Sequence, residues 1–206
     1  MTLRTGARRS GAAKLLALAM AAALPLSACG DDESDAEKAE ANAETLQQGL
    51  DAHVAGDLEE AEDRYRQVIE DDDQNAFAYY NLALVEQTTE RTDDAEEHYR
   101  QAIAINPEFT SALFNLAILR TAAGATDEAR SLYEQLLAID PGNAGAHLNL
   151  GFLLQEAGDD DEAQSEFDAA TAIDPTLESR IVGIDDEAPA DEAEAPADEA
   201  TTTTEG

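Results

Sequence analysis

The chain has 206 residues, enough for one or two domains, with 46 acidic and 12 basic side chains and a formal charge of −34 at neutral pH. That acid excess excludes nucleic acid as a partner, because phosphates are repelled and no basic patch exists to release counterions; it also opposes electrostatic docking on anionic lipid. The single cysteine, Cys29, excludes an intramolecular disulfide and any zinc site built on cysteines.

Residues 1–28 read as a leader rather than as fold. Arg4, Arg8, Arg9 and Lys14 are their only charges, and an apolar run of twelve follows from Leu15 to Leu26. At about 1.5 Å per residue the run is too short to cross about 30 Å of hydrocarbon. A basic stretch before a short apolar run is the pattern of a secretory signal. Arg8-Arg9 is followed by SGAAK, a poor fit to a twin-arginine export motif.

The next residues, LSACG at 26–30, resemble the bacterial lipobox. The resemblance implies cleavage before Cys29, a lipid on its thiol, and a cell-envelope location on the extracytoplasmic face of the membrane. The alternative is an ordinary secretory cleavage site with Cys29 an idle thiol, although such a site favours small residues on both flanks and Leu26 is large. Loss of the four leader bases would leave 46 acids and 8 bases, formally −38. An anchor of two or more acyl chains would hold such an acidic domain to a surface its charge avoids.

Residues 29–41 are an acidic linker or a helical extension. Ser34 with Glu37 three places on suggests a capping box, and so a first helix beginning near Asp35.

From residue 42 the chain repeats. YNLAL at 80–84 returns as FNLAI at 114–118 and LNLGF at 148–152. Ala61, Ala95, Ala129 and Ala163 keep the same 34-residue interval, and a large ring follows each four places on, at Tyr65, Tyr99, Tyr133 and Phe167. Gly56, Gly124 and Gly158 each stand five places before the alanine, and Pro107, Pro141 and Pro175 follow an Asn or Asp at the unit end. Each unit reads as two amphipathic helices: in the third, Leu113, Leu116, Ala117 and Arg120 share one face, then Ala129, Tyr133 and Leu136 another. Glycine at the turn permits positive φ, and the prolines stop the second helices. Alanine is small enough for two axes to cross closely.

This period and these anchors resemble the tetratricopeptide repeat. The resemblance implies an all-α, right-handed superhelical solenoid of four helix-turn-helix units, 42–75, 76–109, 110–143 and 144–177. Departures are Asp73 for proline, Gln48 for leucine, Glu90-Arg91 for Gly-Asp at a turn, and His147 for a bulky apolar residue. Leu177, Ile181 and Ile184 form a short apolar stripe, read as a capping helix over 178–184. Residues 185–206, with EAPADEA twice in succession, read as a disordered acidic tail.

In the family the first helices of the units line the concave face. Carried over, the resemblance makes Leu46, Leu50, Tyr80, Asn81, Leu84, Phe114, Asn115, Ile118, Leu148, Asn149 and Phe152 a peptide-binding groove. Leu82, Leu116 and Leu150 then face the second helices as core. The three amides could pair with the backbone of an extended, low-charge segment, as an asparagine both donates and accepts. The alternative is that each bonds locally and the apolar residues pack within the stack. The Lys and Arg of a carboxylate clamp are missing from these places. Glu86 and Arg120, at one place in adjacent units, are expected to pair.

No catalytic motif is present: GxSxG, HExxH, a P-loop and GxGxxG are all missing. The runs DDD at 71–73 and DDDE at 159–162 lack the spaced ligands of a calcium loop. His53, His98 and His147 do not cluster in sequence. The chain therefore reads as a non-enzyme without cofactor or metal. Its implied function is a membrane-anchored extracytoplasmic scaffold or adaptor for protein segments, in envelope or pilus assembly or beside a protease. The alternatives are a self-associating structural lipoprotein, a homo-oligomer whose groove another protomer fills, and an accessory subunit of a membrane enzyme.

Overall fold

The computed structural model describes residues 32–182. Two compact units divide between Lys38 and Ala39. Of the first, only the opening turns of α1 are described, and Ser34 to Lys38 are exposed there. The elements are α1 (Asp32–Ala55), α2 (Leu58–Asp71), α3 (Ala76–Thr88), α4 (Thr92–Ile105), α5 (Thr110–Ala122), α6 (Thr126–Ile139), α7 (Ala144–Ala157), α8 (Asp160–Ile173), a 3₁₀ turn (Pro175–Leu177) and α9 (Glu178–Val182). No strand occurs among the described residues. From Ala39 on, four helix-turn-helix units stack in order: α1 meets α2 where Gly49 and His53 face Tyr65, α2 to α8 each pack on their neighbours in sequence, and α9 ends the described stack. Ser34 lies inside α1, so it is not the cap of that helix.

The two helices of a unit are built differently. Helices α2, α4, α6 and α8 bury one narrow stripe each: Ala61, Tyr65 and Val68; Ala95, Tyr99 and Ala102; Ala129, Tyr133 and Leu136; Ala163, Phe167 and Ala170. Helices α3, α5 and α7 are apolar over most of their circumference, since each lies between the second helix of its own unit and that of the unit before. Leu82, Leu116 and Leu150 are buried accordingly. The close crossing demands a small residue on both partners. A Cβ added to Gly151 would stand 2.5 Å from the Phe167 ring, and one on Gly49 would stand 2.6 Å from Tyr65. Ala83 and Ala117 hold the same place in the middle units, fully buried.

The turns explain the punctuation. Between the helices of a unit the chain enters left-handed backbone at Gly56, Gly124 and Gly158, with φ of 85°, 72° and 84°. Glu90 takes that conformation in the second unit at φ 62°, a cost of about 1 kcal/mol for a residue with a Cβ. At the unit ends, Asp72, Asn106 and Asp174 are extended, and Asp140 has φ −126° and ψ 83°. Their side chains accept the N–H two residues on, from Gln74, Glu108, Gly142 and Thr176, at 3.0–3.1 Å. Such a turn competes with continued helix. It forms after Asp72 with Asp73 in the proline place, so the acid or amide, not proline, is common to all four stops. Asn75 and Asn143 then cap α3 and α7, accepting from Ala78 and Ala146.

Leu177 and Ile181 pack against the core of units three and four. Ile184 lies outside the described residues, as do Cys29, the leader and the tail.

Candidate functional site

Helices α3, α5 and α7 together carry two acids, Glu86 and Glu156, whereas each of α2, α4, α6 and α8 carries three or more. The first helices of units two to four are thus nearly uncharged in a strongly acidic chain, whereas α1 of unit one carries Glu44 and Asp51 within its unit. Two hollows open on the row of α3, α5 and α7. The larger, about 530 Å³, is lined by Phe114, Ile118 and Phe152, with Tyr133, Asn149 and Arg180 among its polar members. The smaller, about 190 Å³, is lined by Tyr80, Phe114 and Asn115, with Ser111 and Asn143. Phe114 belongs to both, so they adjoin. The Tyr80 ring continues to Phe109 at 4.8 Å and then to Phe77 at 5.0 Å, and Phe77 is 58% exposed.

Of the groove residues expected from the sequence, Tyr80, Phe114, Asn115, Ile118, Asn149 and Phe152 meet in these hollows. Leu46, Leu50 and Leu84 are half-buried and line neither. Leu148 is not groove. It is fully buried in the core of units three and four with Leu113 and Tyr133. The neighbouring Gly145 opens the floor instead, its bare Cα facing the Phe114 ring. Arg180 and Glu156 were missed: α9 was legible only through its apolar stripe, which says nothing of a charged residue between its members.

The repeated asparagine has partners inside the protein. Asn81 is buried and donates to the Phe77 carbonyl at 2.7 Å. Asn115 donates to the Tyr80 hydroxyl at 3.3 Å and also reaches the Tyr99 hydroxyl. Asn149 reaches the Tyr133 hydroxyl, as does Thr121. Tyr99 and Tyr133 are the large rings of the preceding unit's second helix, and both are buried. A buried phenol without a partner is costly; Tyr99 donates to Gln87 Oε1 of its own unit at 2.7 Å with Asn115 of the next unit also in reach, and Tyr133 has Thr121 of its own unit and Asn149 of the next. Tyr65 is the exception, its buried hydroxyl having no partner among the described residues. Burial pushes the Tyr65 phenol up to about 12 and raises Tyr99 and Tyr133 as well.

Apart from Arg180 and Glu156, charged residues line neither hollow. Glu86 does not pair with Arg120. It is fully buried, its Oε2 2.6 Å from His98 Nδ1 on α4 and its Oε1 3.9 Å from Arg66 on α2. Arg120 reaches Glu96 on α4 at 2.6 Å and Glu128 on α6 at 2.8 Å. This place on a first helix faces the second helices of its own and the preceding unit, so the nearest opposite charge lies there. Glu62 binds Arg91 with both oxygens, at 2.8 and 2.5 Å, and the Arg91 hydrogen bond holds its carboxyl below the usual range. Two units on, the same two places hold Arg130 and Asp159, paired with the signs exchanged at 3.4 Å. His147, standing in the place of a bulky apolar residue, ties α7 to α8 through Glu166 at 2.6 Å and lies 3.1 Å from the Pro141 carbonyl oxygen. No cluster of metal-ligating side chains occurs among the described residues. No helix among them is long and apolar enough to cross a membrane.

Profiles of the tetratricopeptide repeat match residues 46–108, 80–144 and 120–182, which together span the four helix pairs. The chain belongs to the tetratricopeptide repeat family. No curated protein matches it. This repeat protein is similar to the crystal structure of MamA, with 25% identity, a TM-score of 0.61 and coverage of 69% of this chain and 85% of that one. It shares its fold with pilF of Pseudomonas aeruginosa, at 24% identity and a TM-score of 0.60, covering 68% of this chain and 64% of that one. The first repeat domain of Spaghetti (RPAP3), solved with the HSP90 peptide SRMEEVD, is 25% identical at a TM-score of 0.54, over 57% of this chain and 93% of that one.

Proposed function

We propose that this repeat protein is a lipid-anchored scaffold on the extracytoplasmic face of the membrane, and that the row of α3, α5 and α7 holds an extended, low-charge segment of another envelope protein. The observation that carries the groove reading is the adjoining pair of hollows around Phe114, the larger mainly apolar and the smaller mixed, with Glu156 the one acid lining either in a chain of formal charge −34. An exposed apolar groove of this kind is usually functional. Peptide capture by the Spaghetti domain supports the same use of the fold. The internal partners of the asparagines move the binding role from a row of amides to the rings of Tyr80, Phe114 and Phe152. The basic leader, the short apolar run and LSACG support the anchor at Cys29.

Two experiments test this. Phe114→Ala with Phe152→Ala is expected to reduce crosslinking to envelope partners at least about tenfold, an effect of about 1.4 kcal/mol or more, while far-UV circular dichroism stays that of the parent. Undiminished crosslinking by a folded double variant would place the binding surface elsewhere. Cys29→Ser is expected to release the protein from membranes or block its maturation, and fractionation identical to the parent would end the anchor reading.

A further inference from the structure

Six of the seven described arginines stand in ion pairs: Arg64, Arg66, Arg91, Arg100, Arg120 and Arg130. Arg180 is the exception, with no carboxylate paired to it among the described residues. Its exposed side chain lines the larger hollow together with Phe114, Ile118 and Phe152. In a chain with 46 acids and 12 bases, an arginine left without an acid beside an apolar hollow is a signal separate from the hollow itself. Its position is set by packing, because the adjacent Ile181 is seated against the core of units three and four. Glu156 lines the same hollow and does not pair with Arg180 either.

We infer that the guest segment places an apolar side chain in the hollow and presents a side-chain carboxylate to Arg180. The partner is therefore an internal stretch of an extracytoplasmic protein in which an Asp or Glu lies two positions from an apolar residue. The spacing follows from the extended chain: residues i and i+2 point to the same side, about 7 Å apart. An apolar anchor and an acid at that spacing reach one hollow together. The arginine fork suits a carboxylate, and Glu156 repels one, so the guest's acid lies on the α9 side. This rests on the groove reading above and adds the charge of what the groove accepts.

The test is fluorescence anisotropy with the full chain and labelled nonapeptides capped at both ends. One is Gly-Ser-Asp-Gly-Phe-Gly-Asp-Ser-Gly, and the other has Asn for both Asp. The acidic peptide is expected to bind about threefold to tenfold tighter. Arg180→Gln should bring the ratio to about one, and Glu156→Gln should tighten the acidic peptide further. Equal binding of the two peptides, a preference that survives Arg180→Gln, or no binding of either overturns the inference. So does a preference that appears only after residues 183–206 are removed, which would make the chain's own acidic tail the occupant. If both peptides bind alike and Phe152→Ala weakens both, the groove reading stands and only the role of Arg180 falls.

Discussion

Replacing Tyr133 with alanine is expected to lower the unfolding free energy by about 3–5 kcal/mol, the range for deleting a buried ring. Tyr133 is 1% exposed and packs with Leu113, Ala117, Leu136 and Ala146, residues from both sides of the boundary between units three and four. The cavity would therefore weaken an interface, and in a stacked array stability is the sum of such interfaces. Tyr133→Phe keeps the ring and removes the hydroxyl that Thr121 and Asn149 share, so its expected cost is about 1–2 kcal/mol. The chain carries its own precedent: Phe167 holds this place in unit four, where α9 follows rather than another unit with its asparagine. Urea denaturation of both variants decides the matter. An alanine variant within about 1 kcal/mol of the parent would show that the ring is not what joins the units.

Alkali is expected to unfold the protein between about pH 10 and pH 12. A tyrosine ionises near pH 10 in an unfolded chain. Burial raises Tyr65, Tyr99 and Tyr133 above that, Tyr65 to about 12. Below pH 10 both states hold these protons and stability is unaffected. Above it the unfolded chain releases protons that the folded chain keeps, and stability falls by about 1.4 kcal/mol per pH unit for each phenol. Three phenols titrating together remove about 4 kcal/mol per pH unit, about 8 kcal/mol between about pH 10 and pH 12, which unfolds a protein in the lower half of the usual range of about 5–15 kcal/mol. Helicity and tyrosinate absorbance, followed through one base titration, should therefore change together. Tyrosinate appearing in full near pH 10 while the helices persist would mean that the three hydroxyls are open to water.

Much of the fold was legible because its units are repeats of one solution. Alanine, ring, turn glycine and terminal Asn or Asp each answer a local demand, and four in-phase copies made the demand visible. The same regularity misled where a place in the repeat was taken for a role. Glu86 and Arg120 hold one place in adjacent units, and Leu148 holds the place of Tyr80 and Phe114, yet the first two face second helices and the third is core.

The helix pairs, their stops and the buried stripe of each second helix follow from side-chain period and backbone preference within about a dozen residues, so the chain alone reveals them. Which side chains stay open on the row of α3, α5 and α7 is settled by the packing of one unit on the next. Whether Asn115 is free or spent on Tyr80 and Tyr99, and whether Arg180 turns to an acid or to the hollow beside Phe152, depends on residues 15 or more places away. A 34-residue period fixes where a side chain sits within its unit; its hydrogen bonds and charge partners come from the neighbouring units, whose sequences differ.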